Sequence, residues 1–365
     1  MTWGPLQRII NEFPLCKEMM EDLRNKYQVD KFWKGYESRN VTLIKHYGLK
    51  NFRHRPNSYG GISSIKSIIP GGILLDRIIN KLLSGLDKYL GIDWLRFPLL
   101  DVFNYTVDVP KEIRGNYSSL ILEMINLLPD ADKLLNIRDD LVGNPSDILK
   151  LRENKYSLQF IHYFYRLLVI NQFVDFKESN LFLEIGGGYG GFSEVLKKTY
   201  PNVKIIFIDI APQLYVAESY LKSVFPDRVA GYRDTKQMKS ISYDAFSSYD
   251  ILILPPWDIE KIEDNLIDNF SNQSSFQEMS QDTVRGYCKQ LGRIIKSKVV
   301  LYEQREGNGA VKDSVKRDDY LRYMGSNGFK LINEKLAGYG GHLRSDPSAP
   351  LCHQDFYFFQ KNKTM

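Results

Sequence analysis

From residue 181 onward, apolar runs of strand length alternate with helical patterns. That rhythm predicts an α/β fold on a doubly wound, Rossmann-like, mostly parallel sheet. Two further observations point the same way: a glycine-rich turn separates the first run from a helix, and an acidic residue ends the second run. LFLEI (181–185) is the first buried strand, followed by the turn and a helix over 191–199. VKIIFID (203–209) is the second, with a helix near 213–224. DILIL (250–254) is the third. A helix near 276–295 leads to the strand VVLYE (299–303). A helix near 317–327 precedes FKLINEK, and DFYFFQ (355–360) is the last strand. Strands arriving after the last helix suit an antiparallel edge pair.

Residues 1–150 read as mainly helical and irregular. Leu75, Ile78, Ile79, Leu82, Leu83, Leu86 and Leu90 recur at helical spacing, and Gly91 stops the run. A second short apolar helix is expected over 120–128. The stretch 51–72, rich in Gly, Ser, Pro and Arg, reads as a long loop. Asn144, Pro145 and Ser146 form a turn and cap signal ahead of a long aromatic helix, roughly 155–176. The expected division therefore falls near residue 150: a mainly helical N-terminal region (1–150) and a sheet domain (151–365).

The 365 residues are 43% hydrophobic and 25% charged, which suits a globular chain with its own core. The net charge of +5 is spread out, with no block of five like charges, so no nucleic-acid-binding tail is expected. A mild positive field suits a small anionic partner such as a nucleotide-linked sugar. Cys16, Cys288 and Cys352 are odd in number and far apart, which argues against a zinc site or disulfide framework. The first residues lack a signal-peptide apolar stretch, and no apolar run approaches the ~20 residues of a membrane span. A cytoplasmic protein without a membrane span is expected.

The glycine turn carries the chemistry. Gly186, Gly188 and Gly191 fit G-x-G-x-x-G, the dinucleotide fingerprint; Glu184, Gly186, Gly188 and Gly190 fit E-x-G-x-G-x-G, the pattern of S-adenosylmethionine-dependent methyltransferases of class I. Glu184 separates the two. A carboxylate there would repel a pyrophosphate, but it attracts the sulfonium and ammonium of S-adenosylmethionine. Asp209, ending the next strand, is placed to accept hydrogen bonds from ribose hydroxyls. A nicotinamide-dependent oxidoreductase is the alternative, and a catalytically silent scaffold on the same fold is a third reading. Tyr232 and Lys236 match the Y-x-x-x-K pair of some reductases, but lie too soon after the glycines for that fold's catalytic helix.

Several stretches together resemble the sugar O-methyltransferase family of bacteria: FWKG (32–35), LIKHYGLKNFRHRP (43–56), HYFYRLLVINQF (162–173), EIGGGYGGFSEVL (184–196), IDIAPQLYVAESYLKSVFP (208–226), SSFQEMSQDTVRGYC (274–288) and VVLYEQ (299–304). The resemblance implies methyl transfer from S-adenosylmethionine to a hydroxyl of a small-molecule sugar or sugar-nucleotide acceptor, in glycan or secondary-metabolite assembly.

In such a fold the acceptor sits beyond the carboxyl ends of the strands. Leu254 and Pro255 are expected against the cofactor. Trp257 is expected to stack on the adenine or a sugar face, and Asp258 is a possible base. The resemblance adds weight to Glu278 as the base; Gln277 and Ser275, in the same segment, are expected to contact the acceptor or the cofactor. His342, in a glycine loop, is a further possible base. Arg53, His54 and Arg55, in the N-terminal loop, are expected to bind the acceptor, making residues 1–150 a cover over its cleft. No metal spacing stands out, and homo-oligomerisation stays open.

Overall fold

The alternation from residue 181 folds into one eight-stranded sheet in the computed structural model. It describes residues 11–26, 40–54 (apart from 42, 43 and 46), 125, 128–145, 148–176, 181–307, 311–336 and 354–362. In chain order these hold α1 (Pro14–Lys26), the hairpin β1 (Ile148–Leu151) and β2 (Asn154–Ser157), α2 (Leu158–Asn171), β3 (Leu181–Ile185), α3 (Gly191–Thr199), β4 (Lys204–Ile208) and α4 (Gln213–Val224). There follow β5 (Val229–Ala230), α5 (Tyr232–Lys236), β6 (Ile251–Leu254), β7 (Ile267–Gln273), α6 (Gln281–Ile294), β8 (Ile295–Gln304), α7 (Arg317–Ser326), β9 (Phe329–Leu336) and β10 (Gln354–Lys361).

The strand order is β5-β6-β4-β3-β7-β8-β10-β9. Every pair from β5 to β8 is parallel, and β10 runs antiparallel to both β8 and β9. The doubly wound sheet and its antiparallel edge are thus as expected. Side chains alternate across the sheet. Phe182, Ile205, Phe207, Ile253 and Val300 face the layer holding α2, α3 and α4. Leu183, Ile206, Leu252, Phe270 and Leu301 face the layer holding α6 and α7. The chain leaves β3 for β4 on one side and later reaches β7 on the other, so the sheet's switch point, where α/β sheets open a crevice, lies beside the glycine turn.

Two expectations need correcting. The expected helix over 155–176 starts at Leu158, because Asn154–Ser157 pairs with Ile148–Leu151 in a hairpin. Ser157 then caps the helix, its hydroxyl accepting from Phe160 N at 3.3 Å. The second is β7, which no apolar run announces. Its polar side chains bond to neighbouring backbone instead: Asp268 accepts from Leu181 N at 2.9 Å, and Asn272 Nδ2 donates to Ile185 O at 2.7 Å. The helix expected from residue 276 consequently begins at Gln281, after a short 3-10 turn.

Upstream of the sheet, α1 buries Cys16, Met19, Met20 and Leu23 in the same apolar layer as Val216, Ala217 and Tyr220 of α4. The expected helix near 75–90, most of the 120–128 segment and the 51–72 loop past residue 54 lie outside the described residues. Among the described residues, no helix is long and apolar enough to cross a membrane.

Candidate functional site

At the end of β3 the backbone must turn within a crowded space. Gly186 has φ of 72°, and a Cβ there would fall 2.0 Å from Ser275 Oγ, so only glycine lets the turn pass beneath the loop after β7. Its amide donates to Ile208 O at 2.8 Å, tying the turn to β4. Gly190, at φ of 92°, starts α3 against Leu221. Asp209, one residue past β4, accepts from Gly188 N at 2.9 Å and Ile210 N at 2.7 Å.

Above these ends lies a cleft of about 360 Å³. Gly186, Gly188 and Asp209 line it, with Ser275 and Glu278 from the loop after β7. Glu184 lies just beneath, buried, with Ser193 Oγ donating to it at 2.5 Å. Burial pushes the Glu184 carboxyl up to about 7, with a contribution from the charge of Asp209, against the lowering effect of the Ser193 bond. Burial likewise raises Asp209 to about 7, despite its two amide donors. Glu278 is raised to about 7 by burial and then by Asp209. Three carboxyls thus stand at or under one cleft, each with a proton held near neutral pH.

Of the expected site residues, the structure gathers Gly186, Gly188, Asp209 and Glu278 on this cleft, over Glu184. It places others elsewhere. Leu254 and Pro255 are buried in the core, and Pro256 is the residue of that turn that reaches the cleft. Trp257 packs at the core's edge with Lys26 Nζ 5.8 Å from its ring centroid. Asp258 is buried and paired with Lys261 at 2.9 Å. Gln277 is a strut: its Oε1 accepts from Gln304 N at 2.7 Å, while its backbone N–H donates to Glu303 Oε2 at 3.1 Å.

Arg53 is only 3% exposed, within the core. It donates to Val142 O at 3.0 Å and to Ser157 Oγ, pairs with Asp139 at 3.5 Å and lies 5.0 Å from the Tyr189 ring centroid. It braces the back of the glycine turn rather than reaching the cleft. His54 Nδ1 is 3.2 Å from Asn144 O, joining two loops. Arg55 and His342 lie outside the described residues. Gln159, Tyr163, Gln273 and Tyr287 line the cleft without having been singled out in the sequence. A polar residue on a helix face looks the same in sequence whether it meets solvent or a cleft, so only a recognised β7 would have drawn attention to Gln273. Among the described residues, no group of three or more His, Cys, Asp or Glu is arranged to hold a metal ion.

No protein-family model matches the sequence, and neither does any curated protein. Solved structures are similar at a distance. A mitomycin 7-O-methyltransferase matches with 11% identity and a TM-score of 0.37, over 66% of this chain and 60% of its own. The chain therefore spans less than two thirds of that protein. A magnesium protoporphyrin IX methyltransferase from Synechocystis PCC 6803, with bound SAM, matches with 11% identity and a TM-score of 0.36, over 54% of this chain and 76% of its own. Likenesses this remote leave the chemistry to be read from the cleft itself.

Proposed function

We propose that this chain is an S-adenosylmethionine-dependent O-methyltransferase acting on a sugar hydroxyl. One observation carries the reading: the glycine turn at the sheet's switch point is accompanied by carboxyls, Glu184 beneath it and Asp209 and Glu278 on the cleft. A dinucleotide would bring its pyrophosphate to this turn, against three groups that become negative near neutral pH. A ligand carrying a sulfonium and an ammonium meets the opposite situation. The donor set fits the cofactor: Gly186 and Gly188 allow close approach, and Asp209 offers a carboxylate to ribose hydroxyls.

When bound, S-adenosylmethionine supplies a methyl group made electrophilic by its sulfonium. The chain's own task is to align an acceptor oxygen and to receive its proton. Glu278 is the residue for the second role. It lines the cleft, and its carboxyl, held near pH 7, matches the pH at which a general base works best. The sugar as acceptor is supported by the family-like segment SSFQEMSQDTVRGYC, which supplies Ser275, Glu278, Met279, Thr283 and Tyr287 to the cleft lining. In this reading the enzyme works in glycan or secondary-metabolite assembly in the cytoplasm, with residues 1–150 covering the acceptor and 151–365 binding the cofactor.

A thermal-shift measurement tests the cofactor. S-adenosylhomocysteine at a hundredfold excess over its Kd is expected to add about 2.7 kcal/mol of stability, and NAD none. A shift with NAD alone would overturn the reading.

A further inference from the structure

The end of the cleft away from Asp209 holds two polar atoms that nothing in the described protein satisfies. Gln159 Oε1 on α2 and Gln273 Nε2 on the last residue of β7 are out of solvent contact and without a hydrogen-bond partner, yet both residues line the cleft. Buried polar groups are nearly always paired, so an unpaired acceptor and an unpaired donor on two residues that line one cavity point to a ligand that pairs them.

The orientation of Gln273 is dictated by chemistry. Arg166 Nη1 donates to Gln273 Oε1 at 3.3 Å. A guanidinium has no acceptor, so the amide must turn its oxygen to Arg166 and leave its NH2 free. Arg166 is itself held by two rings, 5.3 Å from the Tyr163 centroid and 4.6 Å from that of Tyr302. Gln159, Tyr163 and Arg166 are spaced four and three residues apart on α2 and so share one face. Asp209 follows β4 and Gln273 ends β7, on opposite sides of β3. The glutamine pair therefore lies across the glycine turn from the carboxylate that suits a ribose.

We infer that Gln273 and Gln159 are the acceptor-binding residues: the Gln273 amide donates to one substrate oxygen, and Gln159 Oε1 accepts the O–H of a neighbouring one. The substrate class that fits is a neutral polyol with adjacent hydroxyls. Anionic groups are disfavoured, since Arg166 stands behind Gln273 instead of lining the cleft, whereas Asp209 and Glu278 do line it. The inference rests on the methyltransferase reading and adds to it the contacts that fix the acceptor.

Two variants test it. Gln273→Glu keeps the size and sets a carboxylate against Arg166, so folding is preserved while the donor is lost. Gln159→Leu removes the acceptor. The probes are S-adenosylhomocysteine by calorimetry and a panel of methyl hexopyranosides with methyl-labelled S-adenosylmethionine. Both variants are expected to bind S-adenosylhomocysteine within about twofold of wild type and to raise KM for the methylated glycoside about tenfold. An unchanged KM overturns the inference, and so does a tenfold loss of S-adenosylhomocysteine affinity, which would assign the pair to the cofactor. Either result leaves the sugar reading standing. A wild-type protein that binds S-adenosylhomocysteine but methylates no glycoside would instead refute the sugar reading, and the polyol assignment with it.

Discussion

Asp209 is pulled two ways. Burial favours its neutral form, while the amides of Gly188 and Ile210 favour the carboxylate, and burial prevails to bring it to about 7. Glu184 and Glu278 are raised to the same region. A carboxyl raised on folding stabilises the protein below its unfolded pKa, near 4, and that contribution is lost as pH rises through about 7. A cation in the cleft reverses the trend by favouring the ionised forms. S-adenosylmethionine carries a sulfonium that S-adenosylhomocysteine lacks. The affinity ratio of the two is therefore expected to shift toward S-adenosylmethionine between pH 6 and pH 8, and Asp209→Asn should flatten that shift. Calorimetry at the two pH values reads it directly, and a constant ratio in the wild type would mean these carboxyls do not face the sulfonium.

Among the elements, one ion cluster ties four segments at the end of the sheet remote from the cleft. Asp250, just before β6, meets Lys204 at 2.5 Å, Arg228 at 2.8 Å and Lys197 of α3 at 3.1 Å. Burial alone would raise Asp250, but the bonds from Lys204, Arg228 and Lys197 outweigh it and hold the carboxyl at about 2. Its stabilisation is present above the ordinary value of 3.8 and is lost as pH falls through about 2. Asp250→Asn leaves the buried Lys197 ammonium without its counter-charge, which is expected to cost about 3 kcal/mol. The partly exposed Lys204 and Arg228 should add little. Urea titration reads the loss. S-adenosylhomocysteine affinity should be unchanged, because the cluster and the cleft lie at opposite ends of the strands.

Across the whole molecule, the segment carrying α1 shares a core with the sheet's helices. Besides its apolar face, α1 pairs through Glu18 with Arg233 at 2.8 Å and through Asp22 with Lys236 at 2.5 Å. Tyr232 donates to Asp22 at 2.5 Å. The Y-x-x-x-K pair of the sequence thus anchors α1 to α5. Leu23 is fully buried in this contact, and Leu23→Ala is expected to cost about 2–5 kcal/mol, as cavity-forming changes do. Differential scanning calorimetry should show a lowered Tm. Unchanged stability would mean α1 is a dispensable attachment.

The period of the apolar residues and the position of the glycines were enough to specify the α/β sheet, its antiparallel edge and the floor of the cleft. Those features depend on local spacing: Glu184, Gly186 and Gly188 stand at the end of β3, and Asp209 stands just past β4. Glu278 was legible through the family-like segment around it. Three things depended on the tertiary structure. Polar β7 is a strand because its neighbours accept and donate to its side chains, so its own composition conceals it. Arg53 turned inward because Asp139, Ser157 and two tyrosine rings compensate a charge that would otherwise stay in water. Gln159 and Gln273, 114 positions apart in the chain, meet one cavity only after α2 packs over the sheet. A polar side chain's role is set by what it faces, and that partner comes from elsewhere in the chain.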